Sequence, residues 1–382
     1  MEAAAPLQAG INAPDLGRIA QEEGPFLTLY LPTDPEIEKA AQRTLALWKS
    51  ARNELEGKSK GVPVELLDGI DPLIPGAHQN GRCLALVARA GAGPVHVEHG
   101  PQAPPTTRAT WAPLPALIPI LEWRQLQTPH VLVLADRAGA DLIAFQGEET
   151  VARRTADKEE HVLSKSAPGG WSQRRFQQRA ENTWEDNAEM VAEELSRLAK
   201  QIDAALVIAA GDVRALEMLE KALPQEVAAI FRTIPGGRGA GTDRAEMEKE
   251  ARRQVDILLD KETGQVLDRF REEIGQRDLA VQGAGPTLEA LSRAQVDTLL
   301  VHDHPEDDRT AWFGLDPIPV GARESSLTEL GVDRRSEGRL VDVLVRATLG
   351  TGAGVRVIRG GSGVTDGVGA LLRWSGERQP QS

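Results

Sequence analysis

Between positions 165 and 179 the chain carries Lys165, Arg174, Arg175 and Arg179 without one acidic residue, although the 382-residue sequence as a whole has a net charge of −13. Guanidinium groups at that density match phosphate oxygens through charge-assisted hydrogen bonds. Pro168-Gly169-Gly170 stands just before them. Paired glycines reach positive φ readily and let the backbone lie close to another backbone. The remaining members of this candidate site are Trp171, Ser172 and Gln173. On residue types alone, the same pattern also fits a solvated connection with surface arginines.

Other residue groups invite weaker readings. His302-Asp303-His304, followed by Glu306, Asp307 and Asp308, has metal-ligand types, but after a strand signal it reads as a solvated acidic turn. No metal is expected. Gly350, Gly352, Gly354 and the later Gly360-Gly361-Ser362-Gly363 lack the strand-then-helix spacing of a dinucleotide loop, and no phosphate-loop lysine follows. No cofactor is expected either. Trp123, Trp312 and Trp374 read as core or interface residues.

A rigid element must carry the cationic segment. Phe176, Ala180, Trp184, Ala188, Val191, Leu195, Leu198 and Ile202 recur at three- and four-residue spacing, one apolar stripe on a long helix. Arg174, Arg175 and Arg179 then fall in its first turns, where a cation is unfavourable against the helix dipole unless an anion is near. A phosphate would supply that anion.

Before this helix, His130 to Asp136 and Ala140 to Phe145 are two strand runs joined so tightly that they predict an antiparallel hairpin. After it come a strand at 205–209, a helix at 213–222 and a strand at 227–234, which together suggest a mixed sheet covered by helices. The N-terminal part offers a strand at 26–31, a helix through Ala40, Leu45, Trp48 and Leu55, and strand runs at 83–87 and 95–97. The proline-studded stretch 101–119 is the best candidate linker. Gly236 to Gly241 marks another interruption, followed by a charged helix to about Ile274. The last part alternates a helix near 288–291, a strand at 298–301, a helix at 340–347 and a strand at 355–358. The expected class is α/β multidomain: an α+β domain over 1–125, a mixed-sheet domain over 126–238 carrying the 165–179 segment, and an α/β sandwich over 239–382.

The single cysteine, Cys83, lies in an apolar run and has no partner for a disulfide. The N-terminus lacks a signal-peptide pattern, and no run approaches the length of a membrane helix. A cytoplasmic, membrane-independent protein is the expectation. The acidic balance, with pI near 5.2, argues against a general nucleic-acid binder whose affinity comes from a basic surface. Contact with RNA must be local.

Four stretches carry a family resemblance: Leu134 to Asp141, Gly169 to Phe176, Gln295 to Val301, and Gly367 to Trp374. They resemble a bacterial group within the archaeo-eukaryotic peptide release factor superfamily, close to the mycobacterial Balon-type hibernation factors and the Vms-type peptidyl-tRNA hydrolases. The resemblance implies a divergent N-terminal domain, a ribonuclease-H-like middle domain and a C-terminal domain like the kink-turn-binding proteins. It also implies a ribosomal partner, through ribosomal RNA and peptidyl-tRNA, with elongation factor Tu or another translational GTPase as a candidate escort.

Release factors use a Gly-Gly-Gln tripeptide to place water against the peptidyl-tRNA ester. Here Trp171 and Ser172 separate Gly170 from Gln173. The resemblance would have Arg174 and Arg175 hold phosphates, Trp171 stack on a base and Gln173 position water. Two readings stay open: a factor that occupies the A site of idle or stalled ribosomes, which the broken tripeptide favours, and a peptidyl-tRNA hydrolase, which the surviving Gly169-Gly170 and nearby Gln173 favour.

Overall fold

The run Phe26-Leu27-Thr28-Leu29-Tyr30-Leu31 forms a strand buried on both faces, and the partners of those faces come from opposite ends of the chain. The computed structural model describes residues 10–375 except 34–37, 58–60, 103, 137, 148, 158–171, 238–243, 277, 305 and 359–362; for 157, 172–184 and 244 it describes the backbone only. Two compact units result: a terminal unit of Met1–Gln125 with Glu262–Ser382, and a middle unit, Leu126–Lys261.

The terminal unit opens with α1 (Pro14–Gln21), β1 (Phe26–Pro32), α2 (Ala40–Gly57), α3 (Val64–Ile70), β2 (Cys83–Arg89), β3 (Gly93–Gly100), β4 (Arg108–Ala112) and α4 (Ile118–Leu126). Its first sheet is antiparallel, in the order β3-β2-β1-β4. Successive strand side chains point to opposite faces. Leu27, Leu29 and Leu31 therefore pack with Trp48 and Leu55 of α2 and Leu67 and Ile70 of α3, while Phe26 and Tyr30 face the other way. Each fully buried leucine of this kind contributes roughly 1.5–3 kcal/mol. The stretch expected to be a linker thus holds a strand. Pro104, Pro105 and Pro113 flank Arg108–Ala112 rather than interrupt it, and β4 lies at the sheet edge, where proline neighbours are tolerated.

The middle unit contains β5 (Pro129–Ala135), β6 (Gly139–Gln146), β7 (Glu149–Asp157), α5 (Ser172–Gln201), β8 (Leu206–Gly211), α6 (Val213–Ala222), α7 (Gln225–Ala229) and β9 (Phe231–Thr233), and α8 (Arg244–Gln276) begins in it. Its sheet runs β7-β6-β5-β8-β9, with β6 antiparallel to both neighbours and β5, β8 and β9 parallel. Counted within the unit the order is 3-2-1-4-5 with the second strand reversed, the ribonuclease-H-like arrangement. Val131, Val133, Leu142 and Val207 face α5 and α6, whereas Leu132, Leu134, Ile143 and Ile208 face Ala251, Val255 and Leu259 of α8. Burial on both faces explains why β5 and β8 read as continuous apolar runs. The expected strand at 227–234 is shorter than the sequence suggests. Pro224 starts α7, and only Phe231–Thr233 pairs with β8.

The last segment supplies β10 (Ala280–Gln282), α9 (Ala284–Ser292), β11 (Val296–Val301), β12 (Thr310–Phe313), β13 (Val320–Gly321), α10 (Glu324–Glu329), β14 (Ser336–Arg339), α11 (Leu340–Gly350), β15 (Gly354–Val357) and β16 (Val368–Leu372). It forms a mixed sheet, β10-β16-β11-β15, and a small antiparallel one, β13-β12-β14. Leu299, Val301, Leu344 and Val355 share one core with Phe26, Tyr30, Cys83 and Val87, so both ends of the chain close the same interior. Arg346 is buried there. It donates from Nε to the Ala20 carbonyl at 3.0 Å, from Nη1 to Asp316 at 2.8 Å and from Nη2 to Leu315 at 2.5 Å. Burial also pushes the Cys83 thiol up to about 12, which makes it inert at neutral pH.

Candidate functional site

The C-terminal half of α5 is fixed by its apolar stripe. Val191, Ala192, Leu195, Leu198 and Ala199 are buried against the sheet of the middle unit. Ser172–Gln201 makes 30 residues of helix, about 45 Å at 1.5 Å per residue, so the start of α5 stands some distance from that anchor. The helix is preceded by β7, the sheet's edge strand, and the candidate residues span the segment joining the two and the first turns of α5.

Lys165, Gly169, Gly170 and Trp171 lie outside the described residues. Ser172, Gln173, Arg174, Arg175 and Arg179 fall within α5, Ser172 being its first residue, and only their backbone is described. The first turn of α5 contains no acidic residue to offset the arginines. The first four N–H groups of a helix have no partner within it. The amides of Ser172 through Arg175 thus add four donors to the guanidinium groups on the same turn, and together they suit an anion.

Arg153 and Arg154 on β7, absent from the candidate set drawn from the sequence, form a separate basic pair, Arg154 lying beside the C-terminal half of α5. Both are exposed; Arg154 Nη1 lies 3.2 Å from Glu194 of α5, and Arg153 Nη2 lies 4.0 Å from Glu248 of α8. Consecutive arginines on a short strand between unremarkable neighbours were the available signal. Exposed pairs of this kind contribute little stability, which leaves the guanidinium groups free to exchange partners.

A small cavity opens at the end of β5 between α5 and α6, lined by Ala135, Asp136, Gly139, Asn187, Val191 and Met218 among others. Asp136 holds the hairpin turn, accepting from the Ala138 and Gly139 amides at 2.8 and 3.0 Å. Asp212 caps α6 by accepting from Arg214 N at 3.1 Å and Ala215 N at 3.2 Å. Gly211 is dictated by close approach: a Cβ there would stand 2.2 Å from the Ala135 carbonyl oxygen. His130, buried beneath the sheet and stacked on Phe145 at 4.9 Å, is driven below its usual range by burial. It is a neutral core residue.

In the terminal unit the acidic turn after β11 is tied by cations. Asp303 accepts from Arg339 at 2.5 Å, and Asp307 from Arg309 at 2.6 Å. Among the described residues, no group of three or more His, Cys, Asp or Glu is arranged to hold a metal, and no helix is long and apolar enough to cross a membrane.

Comparison with known proteins places the middle segment. Residues 129–276 match the family described as bacterial archaeo-eukaryotic release factor family 2. An uncharacterized protein of Mycobacterium tuberculosis (strain CDC 1551 / Oshkosh) is 29% identical over 362 residues, covering 92% of this chain and 94% of its own, and an uncharacterized protein of strain H37Rv matches equally. Among solved structures, Pelota of Archaeoglobus fulgidus aligns at 15% identity and a TM-score of 0.34, covering 95% of this chain and 91% of its own. Dom34 of S. cerevisiae, a translation termination-like factor, aligns at 12% and 0.39, covering 78% and 74%. Likenesses at such scores carry no argument. Residues 129–276 are thus similar to a bacterial release factor family, and the likeness is of this segment.

Proposed function

We propose that the chain is a cytoplasmic, ribosome-binding translation factor that occupies the A site of idle or stalled ribosomes, in hibernation or rescue. The carrying observation is the acid-free first turn of α5, with Arg174 and Arg175 on it, within a segment that matches a release factor family. In this reading Lys165, Arg174, Arg175 and Arg179 neutralise phosphates, Gly169 and Gly170 let the backbone approach RNA, and Trp171 stacks on a base. Elongation factor Tu or another translational GTPase is the proposed escort.

Co-sedimentation with ribosomes from growing and starved cells tests this. Wild type is expected in the ribosomal fraction and Arg174→Glu/Arg175→Glu in the supernatant. Equal sedimentation of the two would overturn the role given to the segment.

A hydrolase reading draws on one feature of the helix. Gln173 is the second residue of α5, so its backbone N–H lacks an intrahelical acceptor and is free to hold a water or a developing oxyanion. Single-turnover release from ribosome-bound peptidyl-tRNA discriminates the two readings. Release by wild type that Gln173→Ala abolishes would replace pure occupancy with catalysis.

A further inference from the structure

A second polar site lies in the terminal unit, far along the chain from the α5 segment. An open cleft of about 740 Å³ lies beside β1, β4 and the start of α11, within the 300–1,000 Å³ usual for small-molecule pockets. Tyr30, Arg43, Arg108, Trp111 and Asp342 are among its walls.

Asp342 is the unusual member. It sits in the first turn of α11 at 5% exposure, and its Oδ1 has no hydrogen-bond partner among the described residues. A buried carboxyl group without a partner is costly and calls for an explanation. The neighbouring groups do not supply one. Arg339 is engaged with Asp303 at 2.5 Å and with the His304 carbonyl at 2.9 Å. The Tyr30 hydroxyl donates to the Ala116 carbonyl at 2.5 Å. Burial pushes the Asp342 carboxyl up to about 7, with Arg339 opposing the shift and Asp303 adding to it.

Across the same cleft, Arg43 and Arg108 form no ion pair among the described residues. An unpaired acceptor, two unpaired guanidinium groups and the Trp111 ring describe a ligand with three properties: a doubly charged anion, a flat ring and an N–H edge. An amino acid offers only a single carboxylate and fills little of the space. Inorganic phosphate has neither ring nor N–H.

We propose that this cleft binds a nucleotide, with its phosphate held by Arg43 and Arg108 and the amino edge of its base donating to Asp342. The site is independent of the α5 segment and of the ribosomal role proposed above. Two sources offer the same chemistry, a free mononucleotide and the 5′-phosphorylated end of a single-stranded RNA.

Calorimetric titration of the full chain with GMP, guanosine, inorganic phosphate, glycine and a 5′-phosphorylated RNA tetranucleotide tests the proposal. GMP or the tetranucleotide is expected to bind at least tenfold more tightly than guanosine or phosphate; whichever of the two binds more tightly identifies the source. Arg108→Ala and Arg43→Ala should each weaken binding about tenfold. Asp342→Asn, checked for native folding by circular dichroism, should abolish the loss of affinity expected as pH falls through about 7 and the carboxylate acceptor is protonated. The absence of saturable binding by GMP and tetranucleotide up to millimolar concentration would overturn the proposal. So would binding that Arg108→Ala and Arg43→Ala leave unchanged, or glycine binding more tightly than either nucleotide.

Discussion

Gly211 and Ala135 approach so closely across the parallel β8–β5 pair that a single methyl group on Gly211 would stand 2.2 Å from the Ala135 carbonyl oxygen. The obstacle is backbone, so neither partner can rotate away. Gly211→Ala should therefore push apart the ends of β5 and β8, at a cost of about 1–3 kcal/mol. Hydrogen exchange resolved by segment checks this: β5 and β8 amides should lose protection, while those of β1 and β11 keep theirs.

Asp342 makes the terminal unit sensitive to pH. Its folded-state value of about 7 lies above the ordinary 3.8, so the stability linked to its protonated form is fully present below pH 3.8 and is lost as pH rises through about 7. Asp342→Asn keeps the shape without the charge. Above pH 7 the variant should be more stable than wild type by something on the order of 4 kcal/mol, an advantage that disappears near pH 4. Urea melts of both proteins across that range measure it.

Arg346 satisfies three carbonyl groups from two distant segments. Burial lowers its guanidinium to about 10, yet it stays charged at neutral pH. Arg346→Met retains most of the volume but leaves those acceptors without a donor, and each buried unpaired group costs about 1–3 kcal/mol. A loss of about 3–5 kcal/mol in the unfolding of the terminal unit is expected, read from chemical denaturation followed by hydrogen exchange.

The α5 segment predicts a salt signature. If Arg174 and Arg175 each meet one phosphate, replacing both with alanine should lower the slope of log affinity against log salt by about 1.5 to 2. Ribosome binding measured between 50 and 200 mM salt reports that slope. An unchanged slope would remove both residues from the interface.

Much of the middle unit could be read from residue order, because its strands are short apolar runs bounded by turns. The β5–β6 hairpin followed from Asp136 to Gly139, and α6 follows Asp212, whose side chain caps it. β4 escaped because Arg108-Ala109-Thr110-Trp111-Ala112 is brief, half polar and ringed by prolines, and edge strands need no apolar face. β9 was overextended since Val227 and Ile230 suit a strand or a helix equally, and Pro224 decided for the helix. The candidate arginines were legible as residue types, but periodicity says nothing of the conformation of 158–171, which lies outside the described residues. Asp342 left a trace: it is the one acid in Leu340-Val341-Asp342-Val343-Leu344-Val345. Its isolation from partners could not be seen without the three-dimensional neighbours.

The core shared by the two ends of the chain sets an order of events during synthesis. Leu27, Leu29 and Leu31 can collapse onto α2 and α3 as soon as residues 1–100 have emerged, but Phe26, Tyr30 and Val87 wait for Leu299, Leu344 and Val355. In the interval the middle unit, all of whose residues lie between, can finish folding. A nascent chain halted short of α11 would thus hold a completed middle unit while one apolar face of the first sheet stayed uncovered, a form open to chaperones and proteases.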